Sequence, residues 1–489
     1  MLAVLLLAII WGIVAYYRWV RQFPPGPFPW PIIGNLPQLA ISQYPHKTIE
    51  AIGRPYGPVF TVFLPLPVIV ITGYDEHKEA LLGPKADNFS SRPDNPSDSL
   101  FMNVPNGGII FSEGMEWTEQ RTFTLQCLRL FGVGSRMMEA KILSSVQILF
   151  DHLDTLPSSN IDINWPLHLC VGNVVHEILF GQSVPHQQSQ ELKHYQDRID
   201  LAMQMVRSRA SVLIVQALPW TRHLPLIGKW GYHELRGIAE ELIGYVERQI
   251  EQSGEEPSFV NQYKQEMTRK GPSASFTYDN LVNTVTDLWL AGMETAATTI
   301  RWAIVLLTAH PDVQERLADE IRGVAGDRMI SIGDKAQMPY AQAVICEIHR
   351  MANVVTFNVF HKTYRDDRLG KHFIPAGSTV LPQISAVLTA EELFENPDQF
   401  NPERFIKRTK DGAIQLRKDR MEKVIAFSLG KRQCAGEALA RMEVFLITLA
   451  MVQRYRLLPA TPCSPLPSLK PIFGILQTPP PFEWTLEER

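Results

Sequence analysis

The first seventeen residues, MLAVLLLAIIWGIVAYY, carry no charged side chain, and Arg18 and Arg21 follow at once. Such a run does not belong on the surface of a water-soluble globule; as a helix it reaches about 26 Å, the lower limit for crossing a bilayer. A cleaved signal peptide is the rival reading, but that segment has positive charge before its apolar run and a small-residue cleavage site after it. Here the basic residues come after the run, Trp11, Tyr16, Tyr17 and Trp19 lie in or beside it, and no A-x-A site follows. The first acidic residue is Glu50, so the flank stays basic and is held in the cytosol. The expectation is a signal anchor over 1–21, with the rest of the chain cytosolic. Five prolines within Phe23–Asn35 then predict a stiff strap over 22–37, and a single globular unit over 38–489.

Composition narrows the class of that unit. The chain has 489 residues, of which 45% are apolar and 20% charged, which excludes a disordered chain, a collagen and a polytopic membrane protein. Its formal net charge of −4 supplies no basic field for nucleic acid. Five cysteines, Cys127, Cys170, Cys346, Cys434 and Cys463, are too few and odd in number for a disulfide framework, and read as reduced thiols. A sequon at Asn88-Phe89-Ser90 is discounted in a cytosolic segment. The length allows about three domains, yet no repeat, low-complexity tract or flexible linker divides it.

Val59–Phe63 and Val68–Thr72, around Leu64-Pro65-Leu66-Pro67, read as a hairpin, with a further strand-like patch over 374–382 turning at Pro375-Ala376-Gly377. Helical periods cover Asp279–His310, Pro311–Val324, Tyr340–Arg350 and the segment after Cys434. The fold class is mainly α with a small β part. Neither phosphate-cradling signature occurs, the closest approach being Gly132-Val133-Gly134, so electrons from a nicotinamide would arrive through another protein.

Phe427-Ser428-Leu429-Gly430-Lys431-Arg432-Gln433-Cys434-Ala435-Gly436 reads F-x-x-G-x-R-x-C-x-G. By chance it would occur in about one chain of this length in ten thousand. The spacing suits a thiolate ligand to haem iron. Gly430 and Gly436 let the backbone turn tightly and approach a flat macrocycle, Cys434 precedes a helix whose N-terminus favours a thiolate, Arg432 can reach a propionate, and Phe427 can shield the sulfur. The bland alternative is an inert buried cysteine.

On these residues the chain resembles the cytochrome P-450 family of haem-thiolate monooxygenases, and the resemblance runs along essentially its whole length. The proline strap, FSEGMEWTEQRTFTL, PERF and GKRQCAGEALARME are similar to the animal microsomal branch that handles drugs, steroids and fatty acids; GKRQC suggests an invertebrate, nematode-like member. The resemblance implies the P-450 fold behind a single anchor helix, haem b ligated by Cys434, O2 as co-substrate and NADPH acting indirectly. It also implies an NADPH-dependent flavoprotein reductase and cytochrome b5 as partners, on the endoplasmic reticulum membrane. Trp117 and Arg121, donors one turn apart on a helix, would hold a propionate, as would His361.

Glu347 and Arg350 lie at i and i+3, which alone describes a surface ion pair; in the family they form a buried network with the arginine of PERF, here Arg404. Ala291-Gly292-Met293-Glu294-Thr295 interrupts an apolar helix. Alone it describes a kink with a solvated acid; in the family it is a dioxygen groove where Thr295 donates a hydrogen bond and Glu294 relays protons. Ala296 stands where many relatives carry a further hydroxyl.

The pocket would be lined by Phe101, Ile109, Ile110, Leu290, Ala291, Val354 to Phe357 and Phe473 to Ile475, all for a lipophilic small molecule. Lys431 and Arg129 would attract the reductase. Two alternatives stay open: an isomerase or dehydratase acting on peroxides without external electrons, and a non-catalytic haem-binding protein.

Overall fold

The computed structural model describes residues 1–40, 42–93, 104–271, 275–410, 414–461 and 465–489. Helices dominate it, among them α1 (Leu2–Val20), α2 (Gly114–Leu130), α3 (Asn164–Phe180), α4 (Gln190–Ser208), α5 (Tyr278–Ala309), α6 (Pro311–Ala325), α7 (Pro339–Ala352) and α8 (Glu437–Arg454). The helical runs expected from periodicity are present to within two or three residues. Thr277 caps α5 by accepting from the Asn280 N–H, and His310-Pro311 ends it because proline cannot continue the ladder. Asn353, at φ 40°, closes α7 in the left-handed conformation.

Helix α5 runs through the middle of the globule and packs against α3, α7 and α8. Its buried apolar residues from Leu281 to Leu307 belong to one large core shared with those helices. Among the described residues two helices are long and apolar enough to cross a membrane, α1 and α5, but α5 is mostly buried inside the protein whereas no residue of α1 is buried. Of these two, α1 is the one free to meet lipid.

Two antiparallel strands, β1 (Val59–Leu64) and β2 (Leu66–Ile71), form the expected hairpin, with Val59 opposite Ile71. Pairing continues as far as Leu64 opposite Leu66, so Pro65 alone makes the turn and Pro67 lies within β2. A proline there is tolerated because β4 (Thr379–Pro382), parallel to β2, begins its pairing only at Val68. With β3 (His361–Lys362) the sheet order is β1-β2-β4-β3. The patch over 374–382 is therefore two short strands in different sheets, His372–Ile374 and Thr379–Pro382, separated by Gly377 at φ 73°.

The proline strap is not an extended spacer. Trp30 and Gly34 pair with each other, and the segment lies directly on β1: a Cβ at Gly26 would stand 1.9 Å from the Thr61 carbonyl oxygen, and one at Gly34 would stand 2.1 Å from that of Phe63. It also folds back on α1. The Tyr16 and Tyr17 hydroxyls donate to the Trp30 and Pro29 carbonyls, both at 3.2 Å, Tyr17 stacks on Phe28 at 4.8 Å, and Trp19 meets Phe63 edge-on at 5.5 Å.

Candidate active site

Cys434 lies in a tight loop two residues before the capping Gly436 of α8. Its N–H donates to the Phe427 carbonyl at 3.0 Å, and Gln433 N–H to Gly430 at 3.1 Å. Gly430 sits at φ 77°, and a Cβ there would be 1.9 Å from the Leu81 carbonyl oxygen. This glycine is therefore demanded by Leu81 across the fold, not by approach to a flat ring. Gly436 has an ordinary φ of −90° and open space where its Cβ would be; its N–H points to the Cys434 sulfur instead. The Phe427 ring lies between His349, at 5.1 Å, and the Arg441 guanidinium, at 4.7 Å.

Among the described residues the other cysteines, Cys127, Cys170 and Cys346, are buried, and burial pushes each thiol up to about 12. Cys434 alone is exposed, though protein surrounds it on most sides. Burial pushes its thiol up, against the Gly436 N–H, Arg121 and Arg441, which pull it down. The helix terminus is thus outweighed, and a thiolate here calls for a cation at the sulfur.

Beside this loop cationic groups gather. Trp117 and Arg121 lie one turn apart on α2, and the Arg432 guanidinium sits 3.8 Å from the centre of the Trp117 ring. Arg432 donates to the Ser90 and Ser112 carbonyls at 2.8 and 2.7 Å, and Arg121 to that of Gln433. Arg92, which sequence reasoning missed, joins them: its guanidinium donates to Ile110 at 2.9 Å and to Phe360 at 2.7 Å. His361 donates from Nδ1 to the Phe89 carbonyl at 2.6 Å, and burial, with Arg92 and Arg432, holds its imidazole well below the ordinary range. Burial, Arg92 and Arg121 depress Arg432 in the same way.

Two donors remain, Trp117 Nε1 and Arg432 Nη1, both buried and without a partner. Buried like charges and orphaned donors are unfavourable unless an anion answers them. A recess of about 670 Å³, lined in part by Trp117, Arg121, Lys431 and Arg432, leads to them. A thiol facing open space and donors awaiting an anion fit an iron porphyrin with its propionates.

On α5, Ala291 is exposed and Leu290, Gly292 and Thr295 are half-buried, so this stretch borders open space. The Thr295 hydroxyl donates to the Ala291 carbonyl at 2.8 Å. Helix α5 runs unbroken through this segment. A Cβ at Gly292 would meet Val175 of α3 at 3.0 Å, so its absence lets the two helices close. Glu294 is neither solvated nor on the open face; it is buried, its carboxylate 3.8 Å from His168 Nε2 on α3. Ala296 is buried.

Of the expected pocket residues, Ile109 is buried, Ile110, Leu290, Val354, Val355 and Phe357 are half-buried, and Thr356 is buried. Phe473 and Gly474 are half-buried and Ile475 is exposed, while Phe357 and Phe473 meet edge-on at 5.9 Å. Phe101 lies outside the described residues. Asp287, also missed, fastens the loop at Ile109 and Ile110 by accepting their N–H groups at 2.7 and 3.0 Å, while its burial raises the carboxyl to about 6.

The Glu347–Arg350 pair is no surface pair. Arg350 donates twice to Glu347, at 2.7 and 2.9 Å, Arg404 adds a bond at 3.0 Å, and the Asn401 N–H another at 2.9 Å. All three charged side chains are buried.

Fold and site together define a haem-thiolate enzyme. The chain belongs to the cytochrome P450 family, whose model matches residues 24–486, and is by class a monooxygenase. It is 32% identical to cytochrome P450 2G1 of Rattus norvegicus, over 96% of this chain and 95% of the relative. It is 33% identical to cytochrome P450 2A13 of Homo sapiens, over 93% and 92%, and 33% to cytochrome P450 2E1 of Bos taurus, over 93% and 90%.

Proposed function

We propose that this monooxygenase inserts one oxygen atom of O2 into a lipophilic small molecule, a xenobiotic, steroid or fatty acid, with electrons from NADPH passed by a flavoprotein reductase. A thiolate-ligated haem supplies reductive activation of dioxygen when bound. Cys434 is the iron ligand, and Trp117, Arg121, Arg432, Arg92 and His361 hold the propionate side. The observation that carries this reading is the coincidence of the exposed Cys434 sulfur with the partnerless Trp117 Nε1 and Arg432 Nη1. Thr295 presents its hydroxyl to the open face of α5, and Glu294 supplies protons to it. The apolar side chains at Ile109, Leu290, Val354 and Phe357 exclude water and favour a lipophilic substrate.

The chain carries neither phosphate-cradling signature for binding a nicotinamide itself, which supports an external reductase, with cytochrome b5 as a second donor. Arg129 is exposed in the last turn of α2, and Lys431 is exposed beside its partner Asp87. Both suit an acidic flavin domain. The bare apolar α1 and its basic flank support anchorage in the endoplasmic reticulum membrane with the globule in the cytosol.

The test is Cys434→Ser, assayed with reductase present. The parent should show the thiolate-type absorption of its ferrous carbonyl complex and substrate-dependent NADPH consumption, and the variant should lose both. Retention of the band in the variant would assign the ligand elsewhere. Turnover of a peroxide by the parent without NADPH would favour the isomerase reading.

A further inference from the structure

Beside α5 a run of aromatic side chains from four helices is left unused by oxygen insertion. Trp289 on α5 is fully buried, and its ring centre lies 5.1 Å from that of Tyr245, on the helix over Glu234–Gln252. Tyr245 lies in turn 4.4 Å from Tyr195 on α4, and His176 on α3 stands 6.5 Å from Trp289. Packing accounts for rings in contact. It does not account for the polar atoms that these rings carry.

The Tyr245 hydroxyl lies 3.0 Å from His176 Nε2, and both residues are buried. A buried phenol needs an acceptor for its hydrogen, so Nε2 is the bare nitrogen of the imidazole. Elsewhere Tyr16, Tyr17, Tyr44 and Tyr263 donate to backbone carbonyls, which cannot take a proton away. Trp289 Nε1 is buried without a partner. The Tyr195 hydroxyl accepts from Arg248, whose guanidinium is 5.9 Å from the Tyr195 ring centre.

These three settings decide where a missing electron would rest. Trp289 has nothing to take its N–H hydrogen, so it cannot settle as a neutral radical and passes the deficit on. Tyr245 can settle, because an oxidised phenol is a strong acid and a base stands at its oxygen. Burial lowers the His176 imidazole to about 4, which keeps Nε2 bare at rest and still far more basic than an oxidised phenol. At Tyr195 the oxygen meets a cationic donor instead of a base, and that charge opposes a positive ring. Trp289 adjoins Leu290 and Ala291 at the open stretch of α5, six residues and about 9 Å of helix before Thr295.

We propose that Tyr245 is a redox-active tyrosine that gives one electron, through Trp289, to haem oxidised by a peroxide when no substrate is present, and so spares the haem. The Tyr245 O–H bond breaks, its electron leaves by way of Trp289, and its proton goes to His176 Nε2. A phenoxyl radical and an imidazolium remain. A thiol in solution then supplies one electron, releasing its own proton to water, and Nε2 returns the first proton to the phenoxyl oxygen. The proposal rests on the haem-thiolate reading for its oxidant.

The experiment mixes substrate-free holoenzyme with hydrogen peroxide, freezes it at once and reads electron paramagnetic resonance. The parent should give an organic radical whose spectrum narrows when ring-deuterated tyrosine is incorporated, and Tyr245→Phe should lose it. His176→Gln keeps an acceptor oxygen but no base, and should lower the radical yield by about tenfold, with the carbonyl band of Cys434 unchanged before peroxide is added. Under peroxide both variants should lose that band faster than the parent. A parent without a tyrosine radical, or an unaltered yield in either variant, overturns the proposal, and equal loss of the band overturns the protective role. A parent that shows no carbonyl band would overturn the haem-ligand assignment instead. The same variants oxidised by photogenerated tris(bipyridine)ruthenium(III), which needs no haem, would then decide for or against Tyr245 by the same signal.

Discussion

Two arginine clusters of this protein are built from similar parts to opposite ends. In one, Arg350 and Arg404 close on a single buried carboxylate, Glu347, and their remaining donors reach the Leu388, Gln399 and Glu395 carbonyls. In the other, Arg121 and Arg432 lie over Trp117, and they and Arg92 donate to backbone carbonyls. Among the described residues Glu113 is the acid that acts on Arg432, and it pulls less than the other neighbours do. The first is electrically complete and serves the fold. The second leaves Trp117 Nε1 and Arg432 Nη1 buried without a hydrogen-bond partner, which sets it apart from the first.

Breaking the complete cluster should have the largest effect. Glu347→Gln leaves two buried guanidiniums facing a neutral amide, at about 3 to 5 kcal/mol. The expected outcome is little soluble holoprotein and a lowered unfolding temperature, read by the yield of the carbonyl band and by calorimetry. A variant with normal yield and melting would show that this network is not needed.

The incomplete cluster should respond with two opposite signs. Arg432→Leu removes a buried charge from among like charges, so the haem-free protein should gain about 1 to 4 kcal/mol in denaturant unfolding. Haem retention should fall by about tenfold to a hundredfold with the loss of a charged hydrogen bond, measured by transfer of haem to apomyoglobin. Loss of stability without haem, or undiminished retention, would make this a second structural cluster.

The smallest effect concerns one carboxylate held by backbone alone. Folded Asp287 titrates near 6, against about 4 when unfolded. The folded chain therefore binds the extra proton between those values. That contribution to stability is full below pH 4 and lost as pH rises through 6. The stability difference between the parent and Asp287→Asn should shift against the parent by about 1 to 3 kcal/mol between pH 4 and 7, read by calorimetry at each pH. A pH-independent difference would mean that Asp287 is not the titrating group.

What the sequence made legible was local. The Cys434 spacing, the Trp117 and Arg121 pair, and the long proline-free run of α5 each declare themselves within one or two helical turns. Arg92 stands alone before Pro93 with no period or motif to mark it, and Asp287 looks like any acid in a helix until the Ile109 and Ile110 N–H groups are brought to it. The same limit explains the glycines. Gly430 answers to Leu81 and Gly292 to Val175, neighbours that only the folded chain supplies. Nothing in the sequence marks His168, because its partner Glu294 is on another helix.

The docking of α1 changes how the enzyme rides in a bilayer. Its last turn is clasped by the strap through Tyr16, Tyr17 and Trp19, and Trp19 rests on Phe63 of β1. The anchor is thus a mast stepped into the hull rather than a mooring line. Tilting this helix would carry β1 and the sheet with it.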